Sequence, residues 1–294
     1  MRTLIKLFSL SFLVCAILYV FSGIAYATDR NNGRSLTFLV VGFDSSPANT
    51  DVLSLLSYDS GANTVRALQI PRDTYVNYGH RQGKINGYYS HEKLRGKTHE
   101  QALSSLSDKI SESLGVKIDG YFSLKEDGFC ALVDFVGGVD IAATDVPKEL
   151  ASDFKIQGNI VHLDGRDAIA FVRYRQDYIR ADLDRLDAQK IFMKALFSKI
   201  CGRRDVFSLI KFIKDCEYIY CDINMERSFS FLFGKVFRTE SPDLQIAMLP
   251  GEAMKIDKAW YYIVKKEEAR ALVKGYFPYE TMEFDEKNNF IYKL

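Results

Sequence analysis

The sequence predicts an α/β protein: a three-layer α/β/α domain with a central mixed sheet, preceded by one N-terminal transmembrane helix. Three observations carry this. Short apolar runs closed by turn residues alternate with helical periodicity from about residue 36 to 275. No shift in composition and no internal repeat divides that stretch, and an uncharged segment, Leu7–Thr28, precedes it. Strands and helices mixed throughout imply one sheet with helices on both faces.

Arg2 and Lys6 stand before the uncharged segment, and Asp29 and Arg30 follow at once. Its length suits a single span of roughly 20 residues, and the basic N-terminal side orients the rest of the chain outside the cytoplasm. Ala25-Tyr26-Ala27 also reads as a signal-peptide cleavage site. The span exceeds most signal cores, which favours a retained anchor, and both readings export the protein. The expected organisation is a short cytoplasmic N-terminus at 1–6, an anchor at 7–28, a catalytic domain at 35–275 and a tail at 276–294.

Leu36–Val41, ending at Gly42, reads as a buried strand. Further strands are expected at 51–58 and at 64–70, where Pro71 stops the chain, with Ser60-Gly61 as the intervening turn. Residues 88–98 read as polar loop or irregular helix. From Glu100 to Leu114 the residues Ala102, Leu103, Leu106, Ile110 and Leu114 recur on one helical face, and Gly115 is the stop signal. A strand at 121–124, a helix at 125–136, the pair Gly137-Gly138 and a strand at 139–143 come next. Asp164 is an N-cap candidate for a helix through Phe171, and 184–200 forms a long amphipathic pattern. Helices near 206–213, 229–236 and 267–274 and strands near 244–249 and 260–264 complete the domain.

Nearly half of the 294 residues are apolar, which excludes a disordered chain, and a net charge of +1 argues against nucleic acid as the main partner. The cysteines form no C-x-x-C pair, so a zinc site is not expected; a disulfide among Cys201, Cys216 and Cys221 is open. Cys130 lies in an apolar helix, where cysteine is commonly core filler. The histidines have no G-x-S-x-G partner, and neither a Walker A nor a dinucleotide fingerprint occurs.

The chemistry concentrates elsewhere. The stretch 162–189 holds five arginines and six aspartates and no lysine. That bias favours the guanidinium fork, which grips phosphate through two parallel hydrogen bonds; a solvated helix laced with Asp–Arg pairs is the plain alternative. Arg173 and Arg175 share a side if the chain is extended there, while Arg185 and Gln189 share a helix face. Asp44 and Asp51 flank the loop between the first two strands and could share a hard cation, although loop aspartates are often turn residues. Arg72 emerges after Pro71, and Lys84-Ile85-Asn86-Gly87-Tyr88 reads as a turn. Arginines and carboxylates at the end of a sheet suit phosphoryl transfer, in which the protein positions groups and neutralises charge.

The segments FLVVGFDSS, TDVLSLLSYD, QIPRDTYV, KINGYY, GYFSLKEDGFCALVDFVGGVDI and HLDGRDAIAFVRYR, followed by Arg185 and Gln189, resemble in order and spacing the LytR-CpsA-Psr family of bacterial envelope enzymes. The resemblance covers about residues 35–274. It implies a membrane-anchored outer domain that transfers a polyprenyl-pyrophosphate-linked glycopolymer, such as teichoic acid or capsule, onto peptidoglycan or another envelope acceptor. It further implies pyrophosphate binding by Arg72, Arg173, Arg175 and Arg185 with Gln189 beside them, a Mg²⁺ (or Mn²⁺) ion at Asp44 and Asp51, and substrate contacts from Lys84 and Asn86. The lipid tail is expected in an apolar pocket between sheet and helices, with Phe129, Leu132, Val133, Leu186, Ile191 and Ala195 as lining. In that scheme Asp51, Arg72, Arg173 and Arg175 carry catalysis, the four arginines converge on one pocket mouth, and Asp51 and Arg175 lie at its rim. Two positions depart from the family pattern: Asn49 and Ala188 stand where many members carry arginine, and Arg180 and Lys190 are candidates to compensate. These departures lend weight to a second reading, a non-catalytic envelope protein that binds lipid-linked glycan in a regulatory or scaffolding role.

A reporter fused after Leu294 is expected to be active only outside the cytoplasm. Activity inside the cytoplasm would overturn the compartment and the substrate class together.

Overall fold

The computed structural model describes residues 36–43, 49–59, 62, 64–79, 81–174, 191–192, 194–196, 198–200, 205–222, 243–277 and 290. The expected anchor at 7–28, the helix at 229–236 and the start of the 184–200 helix lie outside these residues. Among the described residues, no helix is long and apolar enough to cross a membrane.

The main sheet has the order β10-β6-β1-β2-β3-β11. Its members are β1 (Leu36–Phe43), β2 (Thr50–Asp59), β3 (Thr64–Ile70), β6 (Gly120–Lys125), β10 (Ile219–Cys221) and β11 (Asp243–Met248). β1 runs parallel to β6, and β3 runs parallel to β11. β2 is antiparallel to both of its neighbours, and β10 is antiparallel to β6. The sheet is therefore mixed, with four strands ending at one edge. Smaller pairs are β4 (Tyr75–Asn77) with β5 (Gln82–Lys84) and β12 (Gly251–Ile256) with β13 (Ala259–Val264); β7 (Val139–Ala142), β9 (Ile160–Leu163) and β8 (Lys155–Gln157) form a third sheet.

Alternation along the central strands divides two cores. Phe38, Val40, Val52, Leu56, Phe122 and Leu124 face one layer, packed by α3 (Glu126–Phe135), α5 (Gly165–Arg173), α6 (Val206–Asp215) and the helical residues Phe192, Leu196 and Ile200. Leu39, Val41, Leu53, Leu55, Leu68 and Tyr121 face the other, packed by α1 (Tyr88–Leu94), α2 (His99–Leu114) and α7 (Lys266–Tyr276). Residues two apart on a strand share a face, so the expected three layers follow directly. A single turn, α4 (Lys148–Ala151), lies between β7 and β8.

Local signals explain the helix ends. Thr98 and Gln101 form a reciprocal capping box at the start of α2, and Gly115 closes that helix in the left-handed region at φ 64°. Asp164 caps α5 by accepting from the backbone N–H groups of Arg166 and Asp167 at 2.9 and 3.0 Å. Residues 88–94, read as loop or irregular helix, form a regular α1 because Tyr89 and Glu92 are buried beneath it. Within the expected tail, Phe290 is buried and bridges Val76, so the chain returns to the second core. Cys130 and Cys216 carry free thiols, and Cys201 lies outside the described residues.

α5 crosses α3 at Gly165, whose N–H donates to Asp134 Oδ1 at 2.7 Å. A Cβ at Gly165 would collide with Cys130 O and stand 2.6 Å from Cys130 Cα. This contact sets how far Arg173, the last residue of α5, reaches along the sheet. Gly165→Ala is expected to lower the unfolding free energy by about 1–3 kcal/mol, the usual cost of overpacking, read as a lower urea midpoint at unchanged slope.

Candidate active site

Open α/β sheets place ligands beyond the carboxyl ends of their parallel strands. At that edge β1 and β2 carry an irregularity: Gly42 faces Val52 and Phe43 faces Thr50, which leaves Asp51 as the extra residue of a bulge. Bulges re-aim side chains, and Asp51 meets Arg72, which leaves β3 after Pro71. Arg72 Nη1 donates to Asp51 Oδ1 at 2.7 Å, with the two residues only 4% and 6% exposed. The rim position expected for Asp51 is therefore corrected: it is a buried half of an ion pair. The sequence pattern could not show this, because burial here comes from the β4–β5 excursion folding over the strand ends.

That excursion is tied down bond by bond. Thr74 N donates to Pro71 O at 2.9 Å, Asn86 N to Arg72 O at 3.1 Å and Ile85 N to Thr74 O at 2.8 Å. The Thr50 hydroxyl donates to Asn86 O at 3.4 Å, closing the turn onto β2. Lys84 Nζ lies 2.6 Å from Asp73 Oδ1 and 5.8 Å from the centre of the Tyr261 ring. Asp51, Arg72, Lys84 and Asn86 thus share one neighbourhood.

Arg173 reaches the same edge of the sheet from the end of α5. Its Nη1 and Nη2 donate to Glu126 Oε1 and Oε2 at 2.8 and 2.5 Å, a bidentate pair at the first residue of α3, just past β6. The C-terminal turn of α5 favours a cation there, and the N-terminal turn of α3 favours an anion. Arg72 follows β3, and Arg173 at the end of α5 pairs just past β6; in the sheet order those two strands are three places apart, about 14 Å. Each arginine keeps a buried Nε–H with no hydrogen-bond partner among the described residues. An N–H left buried this way is costly until an acceptor arrives. Asp44, Arg175, Arg185 and Gln189 lie outside the described residues, as do Ala188 and Leu186; Asn49 is exposed.

Sequence reading passed over two members of this edge, Glu126 and Asp73. The signal for Glu126 was present: an acid at the first position of a helix that directly follows a strand ending at the ligand edge. Of the expected lipid lining, Phe129, Leu132 and Val133 are fully buried against Phe171 and Phe192, with Ile191 and Ala195 partly buried beside them. No group of three or more His, Cys, Asp and Glu able to hold a metal occurs among the described residues. Of the two carboxylates expected at a metal, Asp51 alone falls among the described residues, and its Oδ1 accepts from Arg72.

Other reactive groups are quiet. Burial pushes the Cys130 thiol up to about 11, so it is protonated at neutral pH, and its Sγ lies 3.4 Å from Gly165 O. His99 is held below the usual histidine range, first by burial and then by Lys93 and Lys125, with Tyr89 OH 2.7 Å from its Nδ1. His162 sits at the surface beside Asp140 at 2.7 Å.

The sequence profile of the LytR_cpsA_psr family matches residues 22–276. TagU of Oceanobacillus iheyensis, a polyisoprenyl-teichoic acid–peptidoglycan teichoic acid transferase, is 28% identical over 245 residues, 80% of this chain and 72% of that protein. LcpA of Corynebacterium glutamicum, a cell wall biosynthesis protein, is 31% identical over 177 residues, 53% of this chain; the match spans only 34% of LcpA. The X-ray structure of Lin1025 from Listeria innocua superposes with a TM-score of 0.64 at 24% identity, covering 84% of this chain and 99% of that one, a likeness of fold.

Asp51→Asn leaves the Arg72 charge buried without its counter-ion, a change that typically costs about 3–5 kcal/mol. The variant is expected to melt well below the parent, and Asp51→Asn combined with Arg72→Gln should recover part of the loss. Melting temperatures of the three proteins check this, and a single variant as stable as the parent would refute the buried pair.

Proposed function

The chain belongs to the LytR_cpsA_psr family, and on that premise we propose that it is a phosphotransferase of the bacterial envelope. It moves a polyprenyl-pyrophosphate-linked glycopolymer, teichoic acid or capsule-like, onto a hydroxyl of peptidoglycan or another envelope acceptor. The observation that supports this best is the pair Arg72 and Arg173 at one sheet edge, each anchored by a carboxylate and each with a buried Nε–H that has no partner among the described residues. Two guanidiniums with donor capacity in reserve suit a diphosphate, whose oxygens outnumber what one arginine can satisfy. The relatedness to TagU supports the transferase class.

In the reaction the acceptor oxygen bonds to the sugar-linked phosphorus. The bond from that phosphorus to the bridging oxygen breaks, and polyprenyl phosphate leaves with the electron pair. Arg72 and Arg173, together with Arg175 and Arg185, neutralise the charge that moves onto the leaving group. Gln189, Lys84 and Asn86 hold the phosphates and the first sugar. Asp51 orients the acceptor hydroxyl or takes its proton as the oxygen bonds to phosphorus, or it helps hold a metal. A Mg²⁺ ion bound by Asp51 and Asp44 would supply further neutralisation of the phosphate oxygens. The isoprenoid would enter the aromatic-rich layer of Phe129, Phe171 and Phe192, where each buried CH₂ contributes about 0.8 kcal/mol. The catalytic domain would lie outside the cytoplasm on a single-pass membrane anchor.

Full-length chain in detergent, given a polyprenyl-diphosphate glycan and an acceptor fragment, is expected to release polyprenyl phosphate. Chelation should slow the release and added Mg²⁺ should restore it. Arg173→Lys and Arg175→Lys keep the charge but lose the fork, and each should slow transfer roughly ten- to a hundredfold, the equivalent of one charge-assisted bond. Tight binding of the donor with no release of polyprenyl phosphate would replace this reading with that of a lipid-linked glycan binder.

A further inference from the structure

We propose that Lys93, His99 and Lys125 form a second anion site at the ligand edge, which takes a phosphate group carried by the glycan of the donor. The proposal rests on the transferase reading for its purpose and deepens it, because it makes the polymer a phosphate-bearing one.

Helix α1 runs across the strand ends. The turn before it meets β2, where the Thr50 hydroxyl donates to Asn86 O at 3.4 Å. Tyr89 then packs its ring 4.8 Å from that of Phe43, the last residue of β1. Tyr89 OH lies 2.7 Å from His99 Nδ1, and the other ring nitrogen, Nε2, lies 3.4 Å from Ser123 Oγ of β6. The Tyr220 ring of β10 stands 5.3 Å from the imidazole. His99 is therefore fixed between α1, β6 and β10.

Two lysines reach this imidazole by simple spacing. Lys93 stands four residues after Tyr89, one turn along the same face of α1. Lys125 stands two residues after Ser123, on the same face of β6 and opposite Phe43 in the parallel register. Both lysines are exposed, and neither forms an ion pair with a carboxylate among the described residues. His99 is also the first residue of the 16-residue α2, whose N-terminal turn adds positive partial charge. The imidazole registers this field: burial first, and then Lys93 and Lys125, hold His99 below the usual histidine range, with Glu100 opposing them. Like charges gathered from three elements repel, and an anion between them relieves that repulsion.

The geometry also selects the ligand. Three point donors from three directions suit a tetrahedral phosphate, whose oxygens diverge, whereas a planar carboxylate is better matched by a single guanidinium fork. The half-buried Tyr220, stacked on Tyr121 at 6.1 Å, offers an aromatic ring to the sugar that bears the phosphate. The site is distinct from that of the diphosphate. Glu126, the next residue after Lys125, opens α3 on the first face of the sheet and holds Arg173 there. Lys125 shares the second face with Phe43 and Tyr121, the side to which the sugar of the donor would extend.

Full-length chain in detergent is titrated by calorimetry with a prenyl diphosphate, a prenyl-diphosphate disaccharide, and the same disaccharide carrying a glycerol phosphate. Lys93→Gln and Lys125→Gln alter exposed side chains, so both variants are expected to keep the parent's melting temperature. Each should bind the phosphate-bearing ligand about tenfold more weakly, the equivalent of one charge-assisted bond, and the other two ligands as the parent does. Lys125→Arg should retain the parent's affinity. By NMR, the phosphate-bearing ligand should raise the pKa of His99, because a neighbouring anion favours the imidazolium, and the neutral disaccharide should not. Unchanged binding of all three ligands by the variants, or an equal loss for all three, would overturn the proposal; the second result assigns the lysines to the diphosphate. Weaker binding of short-chain phosphatidylglycerol with unchanged binding of the donors would overturn it in favour of a membrane contact. Phosphate-dependent binding through these lysines without any release of polyprenyl phosphate supports the site and removes the transferase reading. Transfer that is indifferent to the glycan phosphate and to both lysines sinks this site alone.

Discussion

The buried pair of Arg72 and Asp51 is the constraint on which the rest of the ligand edge depends. Two charges withdrawn from water are costly, and their attraction offsets that only when the geometry is good and further hydrogen bonds are made. Here the geometry is built by three separate devices: a bulge that turns Asp51 out of the β1–β2 ladder, a proline that ends β3 where Arg72 must leave it, and the β4–β5 excursion bonded back over both. Well-packed apolar residues would hold these strands together as firmly. Retaining a charged pair at such a position fits a site that must present a guanidinium, whose Nε–H has no partner among the described residues.

The central sheet was legible because its strands are apolar runs closed by Gly42, Pro71 or a turn, and the third strand falls on the expected residues, Thr64–Ile70. The helices were legible where a cap and a periodic face coincide, as at Thr98 and Asp164. What was missed is short or solvated. Gln82–Lys84 and Lys155–Gln157 show no alternation because neither buries a face, and both are strands only through their partners. Tyr88–Leu94 is helical through the burial of Tyr89 and Glu92, a tertiary effect that a polar heptapeptide does not advertise.

The site divides along the same line. Single residues at element ends, Asp51 near the start of β2, Arg72 after β3 and Arg173 at the end of α5, were recognisable from residue type and position. Their partners were not, because an ion pair such as Arg173 with Glu126 joins positions 47 apart and exists only once α5 crosses α3 at a glycine. The burial of Asp51 was equally hidden. It arises from a segment 24 to 35 residues further on, and no local pattern around position 51 encodes it.

The two cores lend the proposed reaction a direction. Arg173 stands above the layer of Phe129, Phe171 and Phe192, on one face of the sheet. The turn bearing Arg72 and Lys84 belongs with Tyr78, Ile85 and Val264, on the other. A diphosphate held between the two arginines would straddle the strand ends, with its isoprenoid on the first side and its sugar on the second. The β12–β13 hairpin projects from that second side. An acceptor approaching from that second side would reach the sugar-linked phosphorus from the direction opposite to the departing lipid phosphate, which is the alignment an in-line displacement requires. A sheet closed at this edge by a single core would force donor and acceptor to enter from one side; two cores with a charged seam between them do not.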